Sequence, residues 1–493
     1  MFKIKDTIIL IFTFIIMPLS TRAELIYQPM DTLTSEELIT QIIDKKLPFR
    51  IPELQYQFLN TYFSIGGLNI NDKVINGDFK AEFLQPIGSS ALYFRNVIFE
   101  GDVTFKFQTF KRDIVFENVL FRKRLTINTC NFDESIYIIA SKICNETDLE
   151  HLVITNQLFF DRDTFSLQCK FIDINCLEHA TINNTVFSDR ALFQYNNYKG
   201  PFTFDNSECK GFIDFSIITM DKITYFGNSI FNELSFRNVQ IKNRFEFGNV
   251  NSNSIVFKDF NLESKSDFSS DSIFKKLIFL NCSFGESTNF YGALFPDTIL
   301  VDDLSFNRML IKWSQIEGKI YPVENTKNYG DYASIYYSFI NNFRNLGKYS
   351  DEDECYYFLK NIELQLAWKN YFKHLTFNPF TWFKPFILGF FKYSCGFWVR
   401  PFQVIGISII AIVICSLFFS GKGAIEERKK EIIPEYNYDY RSKFQRFKDA
   451  IYFSVNTFTT VGYGDWYPTK AHIKIGKYKI KFSSVPMFCF GLI

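Results

Sequence analysis

The chain has 493 residues and a formal net charge of +1, long enough for two or more domains and too evenly balanced to argue for nucleic acid or another highly charged partner. It holds 61 Phe, and aromatic residues make up 19% of it, a load that needs a large core, a membrane, or both. Ten cysteines without CxxC pairs and four histidines without regular spacing point to no zinc site, disulfide framework, His-based triad or cofactor, so an enzyme is not expected.

Residues 1–23 read as an export signal. Lys3 and Lys5 precede an apolar run over 7–19, and small or polar residues follow, with Ala23 as the cleavage point. The competing reading is an N-terminal anchor that stays in place. Residues 24–89 are expected to cap what comes next.

From residue 90 a long period begins. Phe94, Phe116, Ile138, Phe160, Ile182, Phe204 and Phe226 are spaced by 22 residues. Columns that begin at Phe99, Phe105 and Phe110 repeat the spacing, so apolar positions step by 5, 6, 5 and 6. After Phe231 the spacing slips through Phe236, Ile241 and Phe247. Ser252 then interrupts the column, which resumes at Phe257 and runs to Phe306. A helix repeats every 3.6 residues and a strand every 2, so neither explains the pattern. A four-sided coil with one inward side chain per side does, and stacked coils bury a continuous column that no single coil could. About ten coils at the ~4.8 Å strand spacing give a rod roughly 45–50 Å long over 90–310.

This pattern resembles the right-handed quadrilateral β-helix of pentapeptide-repeat proteins, an all-β fold. In that family an apolar residue centres each five-residue side and a small residue lies two before it. Val97, Val119, Ser141, Thr185, Ser207 and Cys282 fit the small position, as do Cys130 and Cys169, so these cysteines read as packing atoms and not redox groups. Asn96, Asn118, Asn184, Asn206 and Asn228 lie two after the first column, where Asn suits corner dihedrals and can ladder between coils. The coil here is 22 residues where the family usually has 20. The fold itself implies no activity. Some pentapeptide-repeat proteins mimic nucleic acid, but that needs an acidic rod, and the near-neutral charge speaks against it.

Residues 325–374 are expected to be a helical linker, with helices over 332–345 and 351–374 separated by Gly347. Ser350 caps the second, while Asp351, Glu352, Asp353 and Glu354 complement its dipole on a solvated face. Residues 375–400 are rich in aromatics, interrupted by Pro379 and Pro385, and carry Lys384 and Lys392. They read as a segment lying on a membrane, with Trp382 and Trp398 at headgroup level. Residues 402–420 are 19 residues without charge, which as a helix reach about 28 Å, enough to cross a bilayer core. A polar stretch, 421–446, separates this span from a short helix over 447–458 that leads into TTVGYGD at 459–465.

The string KYSCGFWVRPFQV, the span after it, the heptapeptide TTVGYGD and Pro468 three residues past Asp465 resemble the bacterial two-transmembrane potassium channels that carry N-terminal pentapeptide repeats. The resemblance implies an α-helical pore domain over 401–493, assembled as a homotetramer in the cell membrane, with potassium as the permeant ion and no cofactor. The carbonyls of Thr460, Val461, Gly462 and Tyr463 would replace the hydration shell of the ion, and the Thr460 hydroxyl would close the lowest site. Gly462 and Gly464 would supply the backbone dihedrals. Tyr463 would brace the filter from behind, with Thr459 and Asp465 as support, Asp465 at the outer mouth. Phe453 and Asn456 stand where relatives often have an aromatic and an acidic residue. The rod would then sense a signal or dock a protein partner.

The family needs an inner helix after the filter. Residues 482–493 begin one, but as a helix 486–493 reach only about 12 Å, so the favoured reading is a channel truncated in its inner helix. The alternative is a non-conducting, membrane-tethered interaction module. If 1–23 direct export, the rod lies outside and 375–398 must cross the membrane as well for the filter to face out; otherwise the rod is cytoplasmic.

Overall fold

The computed structural model describes residues 31–38, 68–82, 91–323, 328–373, 379–421, 424–427, 442–458, 466–468, 472–475 and 478–481. The segments read as export signal and inner helix lie outside the described residues. The chain divides into two compact units, Met1–Ile311 and Lys312–Ile493.

The first unit is a β-solenoid of about 11 turns. Each side of a coil pairs in parallel with the same side of the next. Phe94 lies opposite Phe116, Phe116 opposite Ile138, Ile138 opposite Phe160, and Phe160 opposite Ile182. The predicted apolar columns all point inward, and their rings stack along the axis. Phe171 and Phe193 have centroids 4.4 Å apart, Phe193 and Phe215 4.7 Å, and Phe94 and Phe116 5.0 Å, each within 14° of parallel. Rings of different columns meet edge to face, as Phe215 and Phe226 do at 5.4 Å and 89°. Both arrangements suit the aromatic quadrupole.

Coils begin before residue 90. Leu68–Asn76 and Phe79–Glu82 pair with Leu92–Phe99 and Val103–Lys106, inside the stretch read as a cap. The slip after Phe231 is one residue missing from each of two successive coils, as Phe215 faces Phe236 and Phe236 faces Phe257, each 21 residues on. Phe226 likewise faces Phe247, and the register shifts between Cys209 and Phe212 and again between Ser252 and Ser254. Gly211 sits at the first shift, where a Cβ would meet the Asp189 carbonyl at 2.6 Å. Ser252 does not end the column. It is buried in it, and its hydroxyl donates to the Ser254 carbonyl at 3.0 Å.

The corner asparagines are left-handed, with φ between 41° and 55° at Asn96, Asn118, Asn184, Asn206 and Asn228. They ladder as well: Asn118 Nδ2 donates to Asn96 Oδ1 at 2.7 Å, and Asn96 Nδ2 to Asp72 Oδ1 at 2.8 Å. A left-handed corner turns the following amide out of the inter-strand ladder, and a side chain of the next coil accepts from it instead. Val119 N donates to Ser141 Oγ at 3.1 Å, Thr185 N to Ser207 Oγ at 3.0 Å, and Ser141 N to Asp163 Oδ1 at 2.7 Å. The small position therefore supplies a buried acceptor besides fitting the space. Cys130, Cys169 and Cys282 are free, buried thiols. Burial pushes the Cys130 thiol up to about 11.

Asp271 fills the same role for Val250 N at 2.9 Å, but its Oδ2 is buried with no hydrogen-bond partner among the described residues. Burial pushes its pKa up to about 8. The native state thus holds a proton that the unfolded chain releases near pH 4, so stability is complete below that pH and is lost as pH rises through 8. The slope is at most about 1.4 kcal/mol per pH unit. Asp271→Asn keeps an acceptor without the titration. Its urea midpoint is expected to fall less than the wild-type midpoint between pH 5 and 8, and parallel curves would refute the assignment. Asp163, also raised by burial, leaves a residual slope in both proteins.

In the second unit, the turn α1 (Trp313–Ile316) and helices α2 (Tyr329–Asn345) and α3 (Tyr349–Lys373) share an aromatic core. Tyr336 stacks on Phe358 at 5.9 Å, Trp313 meets both edge-on, and the Tyr336 hydroxyl donates to the Ile320 carbonyl at 3.2 Å. α2 ends in a Schellman turn: Gly347, at φ 69°, donates to Arg344 O at 3.0 Å, and Lys348 N to Phe343 O at 2.9 Å. α3 starts directly after this turn, so Ser350 lies inside it and is not its cap. Two further helices follow, α4 (Pro379–Cys395) and α5 (Pro401–Phe419). Pro385 lies within α4 without ending it, although the missing N–H leaves one carbonyl of the helix unpaired along its axis.

Candidate pore site

α5 is long and apolar enough to cross a membrane. Phe402, Ile405, Ile409, Ile410 and Leu417 are exposed along it, while Cys415, Ser416 and Phe419 are buried near its end. A helix whose apolar side chains face outward over most of its length is stable in lipid and not in water. The buried end packs on α6 (Lys443–Phe458). Phe419 meets Phe453 edge to face at 4.9 Å, so Phe453, at one of the positions singled out behind the filter, fixes the short helix against the span.

α6 is amphipathic, with Ala450, Phe453 and Ser454 buried and Tyr452 and Val455 exposed. It begins four residues earlier than expected and stops at Phe458, one residue before the heptapeptide. The carbonyl end of a helix carries a partial negative charge, which suits a cation held just beyond it. After the heptapeptide, Trp466–Pro468 runs antiparallel to Ile425–Glu427, with Glu427 opposite Trp466 and Ile425 opposite Pro468. The chain just past the span and the chain just past the heptapeptide are therefore tied side by side. Thr459, Thr460, Val461, Gly462, Tyr463, Gly464 and Asp465 themselves lie outside the described residues.

Cys415, near the buried end of α5, is disulfide-bonded. Ten scattered cysteines gave no sign of such a bond. Charge pairs were also hidden in the sequence. Glu354, read as part of a solvated helix face, accepts from Arg400 Nη2 at 3.2 Å. Glu363 takes Lys360 at 2.8 Å and Lys384 at 2.9 Å. Burial would raise the Glu363 carboxyl, but the two lysines outweigh it and hold it below the usual carboxylate range. Lys384, one of the two charges in the segment read as lying on a membrane, is thus paired.

A family model, Ion_trans_2, described as an ion channel, matches residues 430–490. Comparison with curated proteins and with solved structures gave no match. The matched stretch contains α6, the heptapeptide and the strand that follows it. With the apolar helix α5 before it, this similarity supports an ion channel associated with a membrane and assembled from several subunits.

Proposed function

We propose that the chain is a subunit of a potassium-selective, homotetrameric channel of the cell membrane, with the β-solenoid as a rod that senses a signal or binds a protein partner. The observation that carries this reading is the heptapeptide TTVGYGD, 459–465, set between the end of α6 at Phe458 and the strand Trp466–Pro468 tied back to Ile425–Glu427. An ion entering a narrow path loses its water, and rings of carbonyls from four chains at Thr460, Val461, Gly462 and Tyr463 replace it. Glycines at 462 and 464 let successive carbonyls face one axis. Tyr463 and Thr459 support the ring from behind, the Thr460 hydroxyl closes its lowest site, and Asp465 stands at the mouth. The bound ion needs no charged side chain, so a binding site weak enough to release it is compatible with selectivity.

The test is a bi-ionic measurement in lipid bilayers, with potassium on one side and sodium on the other. The reversal potential is expected to lie on the potassium side. A potential near zero, with both ions passing equally, would overturn the reading, and a tetramer that passes no ion at all would favour the tethered interaction module.

A further inference from the structure

The junction of α4 and α5 is conformationally expensive. Gly396, Phe397 and Trp398 have φ of 55°, 54° and 73°, three consecutive left-handed residues of which two are aromatic. Only glycine enters that region freely, and a Cβ at Gly396 would lie 2.7 Å from Arg400 Cβ. Such strain persists only where the surroundings over-determine it.

Here three contacts do so. Gln403, in the first turn of α5, donates from Nε2 to the Lys392 and Tyr393 carbonyls at 3.0 and 2.7 Å, closing the end of α4. Arg400 pairs with Glu354, and its guanidinium lies 3.7 Å from the centroid of the Tyr357 ring. Tyr357 in turn meets Phe397 edge-on at 5.7 Å, and Phe397 is buried while Trp398 beside it is exposed. Farther along the same helix, Glu363 holds Lys384 of α4. α3 therefore grips the chain on both sides of the strained residues.

We propose that α3 is a latch. Through Glu354 and Tyr357 on Arg400 it keeps the elbow 396–398 in its strained form, and when these contacts part the elbow relaxes and resets the angle at which the span Pro401–Phe419 leaves α4. Any signal that shifts α3 then reaches the membrane helix. Only the consequence for conduction rests on the channel reading; the latch itself does not.

Hydrogen–deuterium exchange of the full chain in lipid nanodiscs tests this. Glu354→Gln is expected to speed exchange in peptides covering 393–403 by about two- to fivefold, as loss of an ion pair between half-exposed side chains would, and to leave the solenoid and α2 unchanged. Arg400→Gln, which also removes the contact with the Tyr357 ring, is expected to speed it more, and adding Glu354→Gln to Arg400→Gln is expected to speed it no further, because the shared ion pair is already gone. Tyr357→Leu, which spares the ion pair and keeps bulk against Phe397, is expected to give a smaller rise and guards against a variant that fails to fold. Unchanged exchange, or effects of Glu354→Gln and Arg400→Gln that simply add, overturns the latch. In bilayers, a variant with faster exchange and unaltered current overturns its control of conduction. A wild type that never conducts overturns the channel reading, while exchange still decides the latch.

Discussion

Gly462→Ala is expected to abolish the potassium current while leaving the assembled subunits intact. In the proposed filter the backbone at Gly462 takes dihedrals that place its carbonyl toward the axis, and a residue with a Cβ meets a penalty of about 1–2 kcal/mol in the left-handed region. In the proposed tetramer four copies of the change line one pore, so the penalty falls fourfold on a structure only a few residues long. Relief comes by turning the peptide plane, and that removes one ring of coordinating oxygens from the ion path. A dehydrated cation then loses ligands it cannot recover from side chains, because none in the heptapeptide replaces a carbonyl. The measurement is current and reversal potential in bilayers beside the subunit count of the purified protein. A variant that still passes potassium over sodium would remove the filter assignment; one that loses both current and assembly would not bear on it, and Tyr463→Phe, which keeps the backbone, then separates the two by retaining current.

The rod was readable because each inward position recurs after 5 or 6 residues and because so many of them are Phe. A coil presents the same four positions to the core on every turn, and the sequence records that geometry directly. The corner after the first column was readable for a similar reason: Asn is the residue that best tolerates φ near 50°, and it appears there repeatedly. The second left-handed corner, two residues after the third column, was not. Phe107, Thr129, His151, Tyr195 and Ile217 all occupy it with φ between 52° and 59°. These side chains point outward, so packing selects no residue type, and the ladders on either side hold the backbone there whatever the side chain prefers. The coils before residue 90 were missed because their offset to the next coil is 24, as Ile70 opposite Phe94 shows. In the second unit the helices were legible from composition, but what joins them was not. Glu354 and Arg400 lie 46 residues apart, and no local pattern links such a pair. The heptapeptide announced itself as a motif, whereas the packing of Phe419 on Phe453, which joins the span to the helix before the motif, depended on tertiary structure.

Phe193→Ala is expected to be among the most damaging single changes in the rod, costing about 3–5 kcal/mol. Phe193 is fully buried and stacks on Phe171 on one side and Phe215 on the other, at 4.4 and 4.7 Å. Truncation removes both ring contacts and leaves a cavity whose walls belong to paired strands. Cys169–Cys176 pairs with Ala191–Gln194, which pairs with Glu208–Met220, so the backbone ladder resists collapse into the space. In a solenoid each coil contacts only its neighbours, so the loss falls on two interfaces and weakens the coupling between the coils before and after it. Phe107→Ala is the comparison: its ring is about half exposed at a corner, and its removal is expected to change stability by no more than about 0.5 kcal/mol. Urea unfolding followed by circular dichroism measures both. If the two substitutions cost the same, the axial column of rings is not what holds the rod together, and the parallel ladders with their buried corner acceptors must carry its stability instead.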